Sequence, residues 1–564
     1  MARLAAVAAI GLGCTMMMPL YGPASAQDPQ IPPSVDPGTI DVPMPAPAVD
    51  EPSIPATDPR DPAAPEGAED VVFVLGGIEL QGNNAIDDDA LAPIFSGQVG
   101  SEVSLADVYG FAHQVTLAYR DAGYILAQAI VPAQEIEDGV VTLRVVEGYV
   151  DQVAVTDPEG EPTAGHARIE QYGASISASR PLRQRDLERY LLLANDLPGV
   201  SVRSVLSASP VEPGAADLTL VVDEQRVEGF VAADNRGTRY IGPVRTTIGA
   251  TLNNPTGNNE TVSIVAATTP EDTSELRYIS GSAEVPIGYD GLVLHGSVSH
   301  SQTQPGSSLR QFGIDGRTTS WTIGADYPLI RSRDTNLTIG ARFDYTDAEN
   351  AFDPQFRLLD YEDRLRVVRV GIDGDVLDSY RGITSFGAEV SQGVDIFDAT
   401  ISDTGVSRTG GRGDFTKLTL DASRLQSLGS GFSLYGAVRA QIASDVLLAS
   451  EEFAVGGARF GRAYDGSEVT GDGGIAGSLE ARYAADVSSI DQLDSLQFYA
   501  FYDIGMAEKR GAESESAASA GGGIRFGLFD TLSGSLEVAQ PLTRDVAAEG
   551  NRDTRFFFSL AATF

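Results

Sequence analysis

From Arg226 to the C-terminus, apolar and polar residues alternate with a two-residue period, the mark of strands with one apolar and one polar face. Sixteen such segments begin near residues 226, 243, 260, 276, 290, 317, 334, 364, 381, 414, 430, 473, 494, 517, 533 and 553. Segment 430–442 sets Phe432, Leu434, Val438, Ala440 and Ile442 against Ser433, Tyr435, Arg439 and Gln441. After residue 473, Ile475, Leu479, Ala481 and Tyr483 oppose Ser478, Glu480 and Arg482. In the thirteenth segment Leu496, Phe498, Ala500, Tyr502 and Ile504 share one face, and Gln497, Tyr499, Phe501 and Asp503 the other. The last places Phe556, Phe558, Leu560 and Phe564 together. Charged residues on one face and apolar ones on the other suit a transmembrane barrel with lipid outside and water inside. About sixteen antiparallel strands leave an aqueous lumen.

The stretch before the barrel follows a different period. Leu105, Val108, Ala112, Val115 and Tyr119 recur at helical spacing behind Ser104, which predicts a capped helix ending at Gly123. Strand patterns surround it at Val71–Leu80, Ile125–Val131 and Val140–Val150, with a short acidic helix start at Asp87–Asp89. The order then recurs: strand Val153–Thr156, a weak helix over 164–175, a stronger helix Leu182–Asn195, and strands Val200–Ser209 and Leu218–Asp223. Two copies of one small α+β unit, 71–150 and 151–225, form an internal repeat.

One segment interrupts the barrel pattern. Residues 453–474 read FAVGGARFGRAYDGSEVTGDGG, dense in glycine, with Arg462 near the middle. A loop of this length is either a functional element or exposed disorder, and its glycines favour a defined fold into the lumen. With Asp503 facing the lumen, a charge-assisted bond between Arg462 and Asp503 is expected to hold the loop inside the pore.

Composition narrows the partners. Of the chain's 564 residues, 39 are Lys or Arg and 79 Asp or Glu, a formal charge of −40. That balance argues against nucleic acid, whose phosphates require clustered cations. Residues 1–26 read as a secretory signal: Arg3, an apolar run Leu4–Leu20, and Ala24-Ser25-Ala26 as cleavage site. The only cysteine, Cys14, lies within it, so the mature chain offers no disulfide or thiolate chemistry. Residues 27–70 carry a proline every few positions and read as an extended acidic tether. Beyond the signal no apolar run reaches the roughly 18 residues of a membrane helix, so a membrane-spanning reading requires the barrel.

Together these pieces resemble the two-partner secretion transporters, outer-membrane exporters of haemagglutinin- and haemolysin-like proteins. The resemblance rests on Ala118–Gly148, on NDLPGV at Asn195–Val200, and on DNRG at Asp234–Gly237. In the loop, Gly461-Arg462-Ala463-Tyr464 stands where the family carries Val-Arg-Gly-Tyr, keeping the arginine and tyrosine. Phe453, Gly456, Gly457 and Gly471-Asp472-Gly473 also fit, as does Phe501-Tyr502-Asp503-Ile504-Gly505 for Phe-x-Asp-x-Gly. The resemblance implies two POTRA (polypeptide-transport-associated) domains in the periplasm and a sixteen-stranded outer-membrane barrel. It also implies a lid made of 453–474, and export of an unfolded partner exoprotein. The lid residues would be Arg462, Tyr464, Gly456, Gly457 and Asp472, and their partners on the wall Phe501, Asp503 and Gly505. Cargo contacts would lie around Val115, Tyr119, Tyr124, Ile125 and Val131, by strand addition to a sheet edge and a shallow apolar groove. The expected state is a monomeric barrel in outer-membrane lipid, with no enzyme activity, cofactor or metal. The family's N-terminal plug helix falls in the proline-rich stretch, which does not favour a helix. The alternative within the superfamily is an insertase that assembles other barrels, which usually has more repeats.

Other signals are weaker. His295 and His300 stand five apart on a strand and so on opposite faces, which excludes a shared metal. His113 reads as a structural residue among the core positions of its helix. Arg412-Gly413-Asp414, the Asn259-Glu260-Thr261 sequon and the acidic run Asp344–Asp353, taken as solvated loop charge, carry no function. A passive porin would not need the repeats, and no catalytic constellation of an esterase or protease is legible.

Overall fold

In a computed structural model, residues 64–163, 165–212, 214–402 and 404–564 are described; the signal and nearly all of the tether lie outside them. Two small α/β units precede a closed barrel. In the first, β1 (Val72–Val74) pairs with β3 (Glu102–Ser104), and β2 (Gly77–Gln81), β5 (Val140–Val146) and β4 (Gln128–Ile130) form a second sheet. The expected single strand Val71–Leu80 is therefore two strands in two sheets. The switch falls at Leu75-Gly76, where Leu75 is fully buried and the Gly76 N–H donates to Gly139 at 2.8 Å.

Helix α2 (Leu105–Asp121) follows the short α1 (Asp88–Leu91) and lays Val108, Phe111, Ala112, Val115 and Tyr119 into the core. His113 faces solvent instead of the core, because it falls between Ala112 and Val115 on the opposite side of the helix. Ser104 opens α2 with a reciprocal capping box: Ser104 Oγ accepts from Asp107 N at 3.2 Å, and Asp107 accepts from Ser104 N at 2.8 Å. Those backbone and side-chain bonds lower the Asp107 pKa. Because the folded pKa is depressed, the cap stabilises above the ordinary carboxylate pKa and is lost as pH falls through the folded value. Ser104→Ala is expected to cost about 1 kcal/mol, read as roughly fivefold faster amide exchange along 105–121 at neutral pH.

The second unit begins earlier than its periodicity implies. Gly148, at φ +61°, breaks the expected strand Val140–Val150, and β6 (Tyr149–Thr156) then pairs in parallel with β8 (Ala215–Glu224) in a separate sheet. Strand β7 (Val200–Ala208) completes that sheet. Helices α3 (Ala167–Ser177) and α4 (Gln184–Asn195) cover it with Ile169, Tyr172, Ile176, Leu187 and Leu191. Ile125 and Leu126 of the first unit pack onto this second core and join the two.

In both repeats a helix side chain occupies part of the sheet edge. Thr116 Oγ1 of α2 accepts from Ala129 N at 3.0 Å. Asn195, at the end of α4, takes both backbone groups of Val202: its amide nitrogen donates to Val202 O at 3.1 Å and its oxygen accepts from Val202 N at 2.8 Å.

The barrel opens with β9 (Val227–Asp234), β10 (Arg245–Asn253), β11 (Thr261–Thr268), β12 (Arg277–Ile287), β13 (Leu292–Thr303), β14 (Asp315–Arg331), β15 (Thr335–Ala351) and β16 (Tyr361–Leu377). It continues with β17 (Gly382–Gly393), β18 (Thr416–Gly429) and β19 (Phe432–Ala443), and after the small β20 (Phe453–Val455) and β21 (Val469–Gly471) with β22 (Gly473–Ala484), β23 (Leu493–Glu508), β24 (Glu515–Leu528), β25 (Leu532–Pro541) and β26 (Arg555–Thr563). Every barrel strand starts within three residues of its expected position. All neighbours are antiparallel, and β26 closes on β9. Ile248, Ile264, Ile323, Leu479, Ile504 and Phe556 are exposed on the outer face, while Tyr499, Phe501 and Asp503 are buried inside. Asp344, expected in an acidic loop, lies within β15 and accepts from Arg369 Nε at 2.6 Å. No helix among the described residues is long and apolar enough to cross a membrane.

Three arginines tie the second unit to the barrel's end. Arg168 donates to Pro286 O at 2.9 Å and Arg189 to Asp290 O at 2.9 Å, both at the β12–β13 turn. Arg331, at the end of β14, grips Asp196 bidentately at 2.7 and 2.8 Å.

Candidate functional site

The segment between β19 and β22 folds back into the lumen. Strands β20 and β21 form a hairpin (Phe453 opposite Gly471, Val455 opposite Val469) whose connecting loop carries Arg462 inward. Phe453, Val455, Phe460, Tyr464 and Val469 are buried together with Ala476 and Ala507 of the wall, so an apolar cluster seats the hairpin. Gly456 turns the chain at φ +124°, where a Cβ would lie 2.0 Å from Asp465 O; Gly457 follows, with its N–H donating to Tyr464 O at 3.2 Å.

Arg462 is 5% exposed and Asp503 fully buried. Asp503 Oδ2 accepts from Arg462 N and Nε, both at 3.0 Å, and Oδ1 accepts from Nη2 at 2.9 Å. Gly461 N adds a bond at 3.2 Å and Ser478 Oγ one at 2.7 Å. The guanidinium also lies 3.5 Å over the Phe501 ring and donates through Nη1 to Glu480 at 2.5 Å. Charge, backbone donors and an aromatic face thus converge on one site, which makes it geometrically specific. Gly505 lies two residues along β23 from Asp503; a Cβ there would stand 2.7 Å from Val455, so the bare backbone is what lets β20 lie against the wall.

The rest of the expected lid set sits nearby. Tyr464 donates to Ala518 O at 3.1 Å. Asp472, at the foot of the hairpin, accepts from Arg408 Nη1 at 2.6 Å, Leu447 N at 2.7 Å and Arg510 N at 2.8 Å. The structure therefore brings Arg462, Tyr464, Gly456, Gly457, Asp472, Phe501, Asp503 and Gly505 into one assembly.

Some partners were not singled out from sequence. Glu480 was legible only as a residue on the wet face of its strand. Glu451, before the hairpin, accepts from Arg369 at 2.6 Å and Lys417 at 2.5 Å. Arg408 reaches Asp472 from the loop between β17 and β18. Glu451 and Arg408 lie in connections, where no periodicity marks a face.

The expected cargo contacts lie apart, in the first α/β unit, and need correction. Val115 and Tyr119 are fully buried: they are core residues of α2, and their side chains are closed to a partner. Tyr119 Oη donates to Glu147 at 3.0 Å, and Glu147 also accepts from Ala85 N at 2.6 Å. Burial, then Glu147, pushes the tyrosine pKa up. Tyr124 and Val131 are half-buried against the same core, and Ile125 packs on the second unit.

Known proteins resemble the chain over most of its length. The profile of the haemolysin secretion/activation protein ShlB/FhaC/HecB matches residues 214–526, and that of the POTRA domain, ShlB-type, residues 73–148. A heme/hemopexin transporter protein HuxB of Haemophilus influenzae (strain 86-028NP) is 24% identical over 525 residues, covering 90% of each chain. An outer membrane transporter CdiB of Dickeya dadantii is 22% identical over 462 residues, covering 80% of this chain and 79% of its own. Among solved structures, CdiB from Escherichia coli superposes with a TM-score of 0.71 at 19% identity, over 88% of this chain and 92% of that one. That likeness extends to the fold.

Proposed function

Because the chain belongs to the haemolysin secretion/activation protein family, it is an outer-membrane transporter of two-partner secretion, and we propose that its 453–474 hairpin is the lid its cargo must displace. It is not an enzyme; it is a pore, with its α/β units in the periplasm. The observation that carries the lid reading is a closed barrel whose lumen holds its own hairpin on a buried Arg462–Asp503 pair.

The physical sequence is short. A large secreted exoprotein, of the class that relatives named as haemolysin and heme/hemopexin transporters serve, arrives unfolded. Its N-terminal secretion segment adds as a strand to an α/β sheet edge, where main-chain hydrogen bonds supply affinity. The chain then enters the lumen as the hairpin leaves its seat, and folding outside biases the movement. The barrel acts as a monomer in lipid: its strands close on themselves and leave no edge to pair, and its outer face is apolar.

The test is deletion of the gene, with secreted and periplasmic proteins compared before and after. One large protein should vanish from the medium and accumulate in the periplasm, and the full chain should restore it. A general fall in outer-membrane barrels, with secretion of every large protein intact, would instead make the chain an insertase.

A further inference from the structure

The Asp234–Gly237 motif has no place in the lid pair, yet it lies where the barrel closes. The β26–β9 ladder has five register pairs, Ser559–Thr563 against Asp234–Phe230, where β9–β10 and β25–β26 have eight each. A further backbone pair, Gly229 with Phe564, extends one end at 2.8 and 2.9 Å. At the other end Asn235 continues the ladder, its backbone N donating to Phe558 O at 3.3 Å and its side chain adding two more bonds. Asn235 Nδ2 donates to Phe556 O at 2.8 Å, and Asn235 Oδ1 accepts from Phe558 N at 2.7 Å.

Each side of this seam also sends an arginine to the lid tip. Arg236, following Asn235, donates through Nη1 to Arg462 O at 3.0 Å and through Nη2 to Glu537 at 2.7 Å. Arg555, the first residue of β26, donates through Nη1 to Ala463 O at 3.1 Å and through Nη2 to Asp465 at 2.7 Å. The two guanidiniums lie over the Phe557 ring, 4.0 and 5.0 Å from its centre. Asp234 fixes the turn by accepting from Arg236 N at 2.7 Å and Arg245 at 3.0 Å. Consecutive carbonyls of the lid tip are thus gripped from opposite sides of the barrel's shortest ladder.

We propose that the seated lid staples the barrel's closing seam through Arg236 and Arg555, so that lid release loosens the β26–β9 ladder. Arg236, Arg555 and Asn235 are positioning residues in this scheme. When the lid tip leaves, both arginines lose their carbonyl acceptors and Arg555 loses Asp465; the seam then rests on its short ladder and on Asn235. The proposal rests on 453–474 being a lid, but its readout is local to the seam and separate from secretion.

The experiment is amide hydrogen exchange on the full chain in lipid nanodiscs, following peptides over 228–234, 453–474 and 556–563. Asp503→Ala should raise exchange in the lid, and at least tenfold in both seam strands, although Asp503 touches neither. Arg236→Ala combined with Arg555→Ala should loosen the seam to the same degree. Adding Asp503→Ala to that pair should change the seam less than twofold, because the same bonds are already gone. Arg236→Lys with Arg555→Lys, which keeps charge and one donor cluster at each site, should retain most of the protection and covers the case in which the alanine pair does not fold. A loosened lid over an unchanged seam, or seam effects that multiply in the triple variant, would overturn the staple and leave the export reading standing.

Discussion

Arg462→Ala is expected to unseat the lid, raising single-channel conductance several-fold in planar bilayers and lowering export of the partner at least tenfold. Asp503 and Glu480 are nearly or fully buried; the substitution leaves Asp503 without its guanidinium, whereas Glu480 keeps Arg482 at 2.6 Å and Arg525 at 2.8 Å. Breaking a buried pair by removing one partner costs about 3–5 kcal/mol in a dry interior. A water-filled lumen lowers that figure, because a released carboxylate regains solvent. Even about 2.8 kcal/mol shifts the seated-to-released ratio by roughly a hundredfold. Asp503→Arg should be as severe, since it sets two cations face to face where one carboxylate now accepts four bonds from Gly461 and Arg462. Wild-type conductance together with wild-type export in both variants would remove the ion pair from the mechanism.

The second large effect comes from a residue with no side chain. At Gly505 a Cβ would lie 2.7 and 2.8 Å from the Val455 methyls and 3.1 Å from Ala476, and Val455 is fully buried with no space to retreat. Overpacking of this kind costs about 1–3 kcal/mol for added methylenes. Gly505→Val is therefore expected to push β20 off the wall while leaving Asp503 in place, and Gly505→Ala to do so more weakly. Trypsin cleavage after Arg459 or Arg462, followed by mass spectrometry of intact barrels in lipid, reads the displacement directly. Protection equal to wild type in Gly505→Val would mean that the hairpin does not depend on this close approach.

How much of this was legible in the chain depended on periodicity. Each barrel strand is wetted on one face and lipid-coated on the other, so its two-residue alternation is written in residue type. The sixteen starts and the inward direction of Asp503 followed from it. The α/β units encode less. Tyr149 and Val150 continue the apolar run of β5, and only the backbone turn at Gly148 assigns them to the next sheet. The resemblance implies cargo contacts at Val115 and Tyr119, but an apolar helix face looks the same whether a core or a partner covers it; here the core does. Arg462 stands out because it sits in Gly461-Arg462-Ala463-Tyr464, near the middle of a glycine-rich stretch that has to fold somewhere. Glu451, Arg408 and the acceptors of Arg236 and Arg555 depend on how distant loops meet, which no local pattern records.

If cargo adds as a strand, as proposed, the pinned sheet edges would act as a ruler for it. Ala129 N and both backbone groups of Val202 are already spoken for by Thr116 and Asn195, so a guest cannot start its ladder there. By the two-residue repeat, the next outward positions on β7 are Ser204 and Leu206, and pairing counted from that fixed zero sets which guest side chains face the helix. A sliding visitor would find one preferred alignment, and the transporter would read the spacing of its cargo's first segment before reading its chemistry.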